Sequence, residues 1–256
     1  MIGIVPAVGA PAQALGIDIG GTGIKGAVVN LDSGRLESER HRIPTPKPAT
    51  PQSVASVVGQ LVDQFGWSGP VGIALPSVVR HGVVHSAANI DASWIDTDAR
   101  ALFAPVVGSH VTVLNDADAA GVAEMAHGAG RGVAGVVITL TFGTGIGSAL
   151  FVDGRLVPNT ELGHLEFRGE SVERWAAASA RKRDDLSWAD WAERVNTFLG
   201  IVDGLFSPDL VILGGGASKK PDHWVPLLDQ RHALAVAELA NSAGIVGAAM
   251  AAVAGP

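Results

Sequence analysis

The chain has 256 residues, 47% of them apolar, with 25 Asp and Glu against 18 Lys and Arg for a formal net charge of −7, and it contains no cysteine. That apolar content at this length, with a mean hydropathy of +0.31, can fill one large or two modest cores, which describes a folded globular protein. Disulfides and cysteine-rich zinc sites are excluded, and the acidic balance argues against general nucleic-acid binding.

Gly, Pro or charge interrupts the apolar stretches at short intervals, and the Ala-rich run 242–254 falls short of the roughly 20 residues that span a bilayer. No Lys or Arg precedes the first apolar residues, as a secretory signal would require. The expectation is a cytoplasmic protein without membrane association.

In chain order, a loose leader precedes Leu15-Gly-Ile-Asp-Ile19, a short apolar strand that carries the carboxylate of Asp18. Gly20-Gly21-Thr22-Gly23 turns it, and 24–30, with Lys25 near its start, reads as the return strand of a hairpin. Such a turn can offer backbone N–H groups to a phosphate. Asp18 is costly in an apolar strand unless it meets a cation, such as Mg²⁺ on a phosphate, or is tied to turn amides; both readings stand.

Pro44, Pro46, Pro48 and Pro51 suit an edge strand followed by a stiff connection, and 52–65 has helical spacing. Next come a buried strand over 71–75, stopped by Pro76, and a small hairpin turning at His81-Gly82. The loop 86–94 is either a binding loop or a surface connection; in it Asn89 suits a hydroxylated ligand and Trp94 could form an apolar wall. A short helix near 97–103 precedes Val111-Thr-Val-Leu114, which ends in Asn115-Asp116 and opens a small-residue helix over 117–127. Asp116 has two compatible readings, a helix N-cap and a general base.

The strand, Gly/Thr turn, strand pattern then recurs: 136–141, Phe142-Gly-Thr-Gly-Ile-Gly147 and 148–152. The strand 71–75 before Pro76 also resembles Leu210-Val-Ile-Leu213 before Gly214-Gly215-Gly216. An internal duplication into two α/β lobes facing a cleft follows. Glu161-Leu-Gly-His164 places a carboxylate near an imidazole, a pair that suits sugar hydroxyls but is as an isolated tetrapeptide more often structural. Helices are expected around 171–180 and 188–205.

Asp18-Ile-Gly-Gly-Thr22, Asn115-Asp116-Ala117, Gly143-Thr144-Gly145-Ile-Gly147, Glu161-Leu-Gly-His164 and Leu213-Gly-Gly-Gly216, in this order, resemble the sugar kinases of the ROK family. The resemblance implies an α/β protein with the actin-like ATPase (ribonuclease H-like) fold, whose two related domains flank a cleft. Those domains would be 1–114, completed by a C-terminal helix over 242–254, and 115–241.

It further implies phosphoryl transfer to a hexose, with Asp116 as base on the 6-hydroxyl and Asn115, Glu161, His164 and, less securely, Asn89 binding hydroxyls. The turns at Gly20, Gly21, Thr22, Gly23 and at Gly143, Thr144, Gly145 would hold phosphates. Lys25 would assist, Asp18 would lie near Mg²⁺, and Gly214, Gly215 and Gly216 would border adenosine. A homodimer is also implied.

Most of the family carries a cysteine-rich zinc motif after the Glu-x-Gly-His element, whereas 167–183 has no cysteine. No zinc is expected, and the family's further sugar-binding glutamate cannot be assigned among Glu166, Glu170 and Glu173. Together with the form Gly-Gly-Thr-Gly-Ile-Lys25 this resembles the polyphosphate glucokinase branch, which implies inorganic polyphosphate and/or ATP as donor and glucose, or also mannose, as acceptor. Cations for such a donor would come from Lys25, Arg131, Arg168, Arg181, Lys182, Arg183, Lys219 and Lys220, although 181–183 beside Asp184 reads better as a solvated helix end.

A strictly ATP-dependent kinase and a non-kinase actin-like ATPase or sugar-binding protein remain as alternatives. The stretch before Leu15 is too short for the helix-turn-helix of a repressor.

Overall fold

The structure, a computed structural model, describes residues 2–3, 11–88, 90–108, 110–229 and 233–254. Asn89 lies outside the described residues.

The chain opens with β1 (Ile2–Gly3), followed by the hairpin β2 (Gln13–Gly20) and β3 (Gly23–Asn30), and then β4 (His41–Ile43) on the edge. Helix α1 (Pro51–Phe65) leads to β5 (Val71–Leu75). A small hairpin, β6 (Val79–Arg80) and β7 (Val83–Val84), and α2 (Ala99–Val107) lead to β8 (Val111–Asn115). These strands form one sheet in the order β4-β3-β2-β5-β8.

After α3 (Asp116–His127) the pattern repeats with β9 (Val136–Phe142), β10 (Ile146–Val152) and β11 (Arg155–Val157). A two-stranded excursion, β12 (Glu166–Phe167) and β13 (Glu170–Ser171), precedes α4 (Glu173–Ala176), α5 (Ala178–Arg183) and α6 (Trp188–Phe206). Strands β14 (Leu210–Gly214) and β15 (Leu234–Val236) and helix α7 (Ala243–Ala251) follow. The second sheet runs β1-β11-β10-β9-β14-β15.

Apart from β1, the two sheets have the same plan. Three antiparallel strands are followed by two that lie parallel to the first of them, β5 and β8 on β2, β14 and β15 on β9. This is the duplication that the repeated hairpins led us to expect, and the two short strands ending at Pro76 and at Gly214 occupy equivalent fourth positions. The leader is not loose at its start: Ile2 and Gly3 pair with Leu156 and Arg155 as an edge of the second sheet.

The layers follow from which faces are apolar. Strand β5 is buried throughout, as expected of a central strand covered on both faces. Helix α1 begins at the Thr50 cap, with Pro51 at its first position, and buries Val54, Val58 and Leu61 at helical spacing. It packs with α2 on the outer face of the first sheet. Helices α3 and α7 lie between the sheets, where Val122, Ile245 and Val246 meet Val29, Val137 and Phe151. Helix α6 covers the far face of the second sheet through Trp191, Val195 and Phe198.

Helix α7 comes close because the surfaces it crosses are bare. A Cβ on Gly16 or Gly72 would fall on the backbone carbonyl of Ile245 or Ala248, and one on Gly247 would fall on that of Ala119. Such approach of backbone to backbone is open only to glycine.

Three expectations need correcting. Trp94 is fully buried, with its Nε1–H donated to the Ala49 carbonyl at 2.9 Å and its ring 6.0 Å from Phe103, so it is core and not a binding wall. The helix expected at 171–180 is two short ones broken at Ala177. Asp116 is not the cap of α3: Asn115 is, its Oδ1 accepting from the N–H groups of Ala117 (2.8 Å) and Asp118 (3.0 Å).

Candidate active site

The capping by Asn115 decides what Asp116 can do. With a neutral amide taking the orphan N–H groups at the start of α3, the Asp116 carboxylate stands at the first helical position and opens onto the cleft. One oxygen accepts from Ala117 N–H at 2.9 Å. The Nδ2 of Asn115 donates to the Ser77 carbonyl at 3.2 Å, which ties the end of β8 to the segment after β5.

Two cavities meet at Asp116. The first, about 330 Å³, is lined by Gly20, Gly21, Ser77, Asn115, Asp116, Gly143, Thr144, Gly145, Glu161, His164 and Glu173, among others. The second, about 230 Å³, is lined by Asp18, Lys25, Asp116, Thr141, Gly214, Gly215, Gly216, Ala237 and Asn241, among others. The first is of the size that encloses a small ligand. Of the residues that the family motifs placed in the sugar, phosphate and nucleotide sites, Thr22 and Gly23 line neither cavity, and Asn89 is outside the described residues.

Each glycine-rich turn is braced from behind. In the first, Gly20 pairs with Gly23 across a two-residue turn, which sets Asp18 directly opposite Lys25, and their side chains form an ion pair at 3.3 Å. Arg42 Nη2 donates to the Thr22 carbonyl at 2.6 Å, and Thr45 Oγ1 donates to that of Gly20. In the second, Ser179 donates to the Gly143 carbonyl from its N–H at 3.0 Å and to the Thr144 carbonyl from its Oγ at 2.6 Å. Turns whose carbonyls are so held keep a fixed shape toward an anion.

The opposite wall carries Glu161 and His164 on one turn of 3₁₀ helix. Ser148 Oγ holds this loop by donating to the Thr160 carbonyl (2.7 Å) and accepting from Leu162 N–H (2.9 Å). Asn159 binds Val79 across the cleft through both backbone groups, at 2.8 and 2.9 Å, and its own N–H is accepted by Asp118 at 2.7 Å. The imidazole of His164 stands between two carboxylates, with Nδ1 3.6 Å from Glu161 and Nε2 3.7 Å from Glu173.

Glu173 is what the sequence reading left undecided. Its Oε2 accepts from Ile146 N–H at 3.0 Å, in the space that a side chain on Gly145 would fill. Glu166 and Glu170 are exposed on the β12–β13 excursion and line neither cavity. Nothing in the spacing separates these three glutamates; the fold of the chain back onto Gly145 does.

Electrostatics single out Asp116. Burial, and after it the negative charge of Asp18, push its carboxyl up to about 7, with Glu161 adding to the effect and the Ala117 N–H opposing it. Burial likewise raises Glu161, against the pull of His164. Asp118, fully buried behind the site, is also pushed up to about 7 by burial, opposed by the Asn159 N–H.

Among the cations proposed from sequence, Lys25 alone lines either cavity. Arg183 pairs with Asp184 at 2.8 Å and Arg181 stacks on Trp188 at 4.0 Å, consistent with a solvated helix end. Among the described residues no group of three or more His, Cys, Asp or Glu could by itself hold a metal, and no helix is long and apolar enough to cross a membrane.

The geometry has counterparts. A family profile described as the ROK family matches residues 14–173. Polyphosphate glucokinase of Mycobacterium tuberculosis (strain CDC 1551 / Oshkosh) is 52% identical over 243 residues, covering 94% of this chain and 92% of that one. Among solved structures, the inorganic polyphosphate/ATP-glucomannokinase from Arthrobacter sp. strain KM superposes with a TM-score of 0.89 at 51% identity, over 95% of this chain and 98% of that one. A ROK family glucokinase from Streptomyces griseus, in complex with glucose and AMPPNP, matches with a TM-score of 0.78 at 24% identity over 93% and 98% of the two chains, a likeness of fold. The two matched sheets around a cleft are the actin-like ATPase arrangement expected above, and the chain belongs to the ROK family.

Proposed function

We propose that this protein is a hexokinase that transfers a phosphoryl group from inorganic polyphosphate or ATP to the 6-hydroxyl of glucose, with mannose as a second acceptor. The observation that carries the reading is that Asp116 alone among the acidic residues lines both cavities, the first walled by Glu161, His164 and the two braced turns, the second by Lys25 and Gly214 to Gly216. The likeness to polyphosphate glucokinase over nearly the whole chain supports the same activity.

Asp116 accepts the proton of the 6-hydroxyl as that oxygen attacks the terminal phosphorus. The bond from phosphorus to its bridging oxygen breaks, leaving ADP or a polyphosphate shortened by one unit. Asn115, Glu161, His164 and Glu173 hold the remaining hydroxyls, and the two braced turns hold the phosphates. Asp18 and Asp116, close enough for one to raise the other, suit a divalent cation carried on those phosphates. A Mg²⁺ held there would supply neutralisation of charge on the transferring group. Closure of the first lobe, 1–114 with 242–254 apart from the β1 strand that pairs with the second sheet, against 115–241 excludes water, which would otherwise compete as acceptor. We infer a cytoplasmic homodimer.

The test is glucose 6-phosphate formation by the purified protein with Mg²⁺ and either ATP or long-chain polyphosphate, repeated with mannose. Product from ATP alone leaves a strictly ATP-dependent kinase, and hydrolysis of ATP with no sugar product favours a non-kinase ATPase. No turnover with any pair defeats the reading.

Two further results are expected. Because the unprotonated carboxylate is the active form, kcat/KM for glucose should rise with pH and level off above about 7, the value of the Asp116 carboxyl. In the ternary complex a cation carried on the phosphates would favour the carboxylate, so kcat should lose activity only at lower pH. Coincident inflections would contradict this. Glu173→Gln should raise the KM for glucose by roughly tenfold through loss of a charge-assisted hydrogen bond, while Glu166→Gln and Glu170→Gln, assayed in parallel, should not.

A further inference from the structure

Glu124 is buried on α3, two turns beyond Asp116 on the same face, with Ala120 between them. It has no part in the chemistry above, yet it lines the second cavity. Its carboxylate accepts three backbone N–H groups from two separate segments. Oε2 takes Ala129 (3.0 Å) and Glu238 (3.1 Å), and Oε1 takes Leu239 (2.8 Å). A carboxylate that meets only donors in this way acts as a clamp, since each bond is charge-assisted.

What it clamps is the segment 237–241, which with Gly215 walls the second cavity through Ala237, Ala240 and Asn241. That wall is under tension. Ala240 has φ 45°, in the left-handed region that a residue with a side chain enters at a cost. Such a conformation persists only where the surroundings hold it. Here the holding bonds include those from Glu124, the bonds from Ser242 Oγ (2.7 Å) and N–H (3.0 Å) to the Leu239 carbonyl, the bond from Ala237 N–H to the Leu213 carbonyl (3.0 Å), and a long one from Arg40 to the Asn241 carbonyl (3.5 Å).

Toward the cavity the wall offers alanine surface and one amide side chain; the nearest cation on it, Arg40, is bonded to the Asn241 carbonyl at 3.5 Å and does not line the cavity. Those features bring a polyphosphate little, because a polyanion is held chiefly by charge, and a single neutral amide supplies none. They suit a planar, uncharged group. Lys25 shares the cavity with Asp18, to which it is paired at 3.3 Å, and the glycine turns that a phosphate chain would use line the adjoining cavity, which meets this one at Asp116.

We propose that Glu124 is a positioning residue that sets how well the site accepts a nucleotide as donor, by holding the 237–241 wall against the nucleoside. This rests on the kinase reading above. The amide of Glu124→Gln has the same shape but meets at least one N–H with an NH₂, so one bond becomes a repulsion and the wall relaxes.

The experiment measures kcat and KM for ATP and for polyphosphate, and ADP binding by calorimetry, in the wild-type protein and Glu124→Gln. The KM for ATP and the Kd for ADP should rise roughly tenfold, the worth of one lost charge-assisted bond. The KM for polyphosphate, the KM for glucose and kcat with polyphosphate should change by less than about twofold. Equal losses with both donors would overturn the proposal, since a merely structural role weakens both.

Should that variant not fold, Leu239→Pro removes one of the three donors from the wall alone, at a φ of −83° that the ring tolerates. The same donor-selective loss is expected of it. A wild-type protein that uses polyphosphate but neither binds ADP nor turns over ATP refutes this inference and leaves the kinase reading intact. ADP binding that weakens in the variant, without sugar phosphorylation from any donor, does the reverse.

Discussion

Asp116→Asn is expected to lower kcat by roughly 10²- to 10⁴-fold, the range that a positioned general base contributes, while the KM for glucose changes by less than a few-fold. Asparagine keeps the shape of aspartate and an oxygen to accept from Ala117 N–H, so the 6-hydroxyl can still dock. It cannot take up the proton. The variant should also fold at least as well as the parent, for two reasons. The cap of α3 is Asn115, untouched by the change. The substitution removes a partly buried negative charge from beside Asp18 and Glu161, the charges that help hold its carboxyl up to about 7. Thermal melting at pH 8 should therefore show equal or higher stability, which separates lost chemistry from lost structure. Turnover near that of the wild-type protein would sink the base assignment.

Gly72→Ala is expected to be among the most damaging single methyl groups that can be added. The new Cβ would lie on the Ala248 carbonyl, within the backbone of a helix wedged between the two sheets. The side chain cannot turn away, because a Cβ has no rotamer, so either α7 or β5 must move. Overpacking of this kind costs about 3 kcal/mol, and more where backbone is the obstacle. Helix α7 touches α3 as well, through Gly247 against Ala119, so a shift there is transmitted to the helix that begins with Asp116. Gly200→Ala gives the contrast. That glycine is exposed in α6 with open space at its Cβ, and alanine there should stabilise by up to about 1 kcal/mol. Urea denaturation of the two variants beside the parent decides the matter: comparable midpoints would mean that the sheet and helix are not in the contact described.

Local rules carried much of the reading. The turn 20–23 is tight enough that its register, and so the placing of Asp18 opposite Lys25, follows from the glycines alone. The second turn and the Glu161 to His164 stretch were visible as spaced motifs and fall on the wall of one cavity. Trp94 was misplaced because an indole flanked by polar residues looks the same in sequence whether it faces a ligand or the core. Its burial depends on Ala49, far away along the chain. Asp116 was given a capping role that its neighbour performs, since the two residues differ by one position and either side chain can reach the same N–H groups.

The sequence by itself determined that there would be two copies of one α/β plan, that each would begin with a glycine-turned hairpin, and that a carboxylate would stand at the end of a buried strand. These depend on bonds between residues a few positions apart, where chain geometry leaves few choices. Tertiary structure alone decided that Asn115 caps and frees Asp116 for the cleft, that Glu173 and not Glu166 or Glu170 reaches His164, and that Glu124 holds the wall at 237–241. Each of these is a match between a polar group and partners brought near only when the sheets, α3 and α7 are packed. A buried carboxylate takes whichever donors that packing supplies.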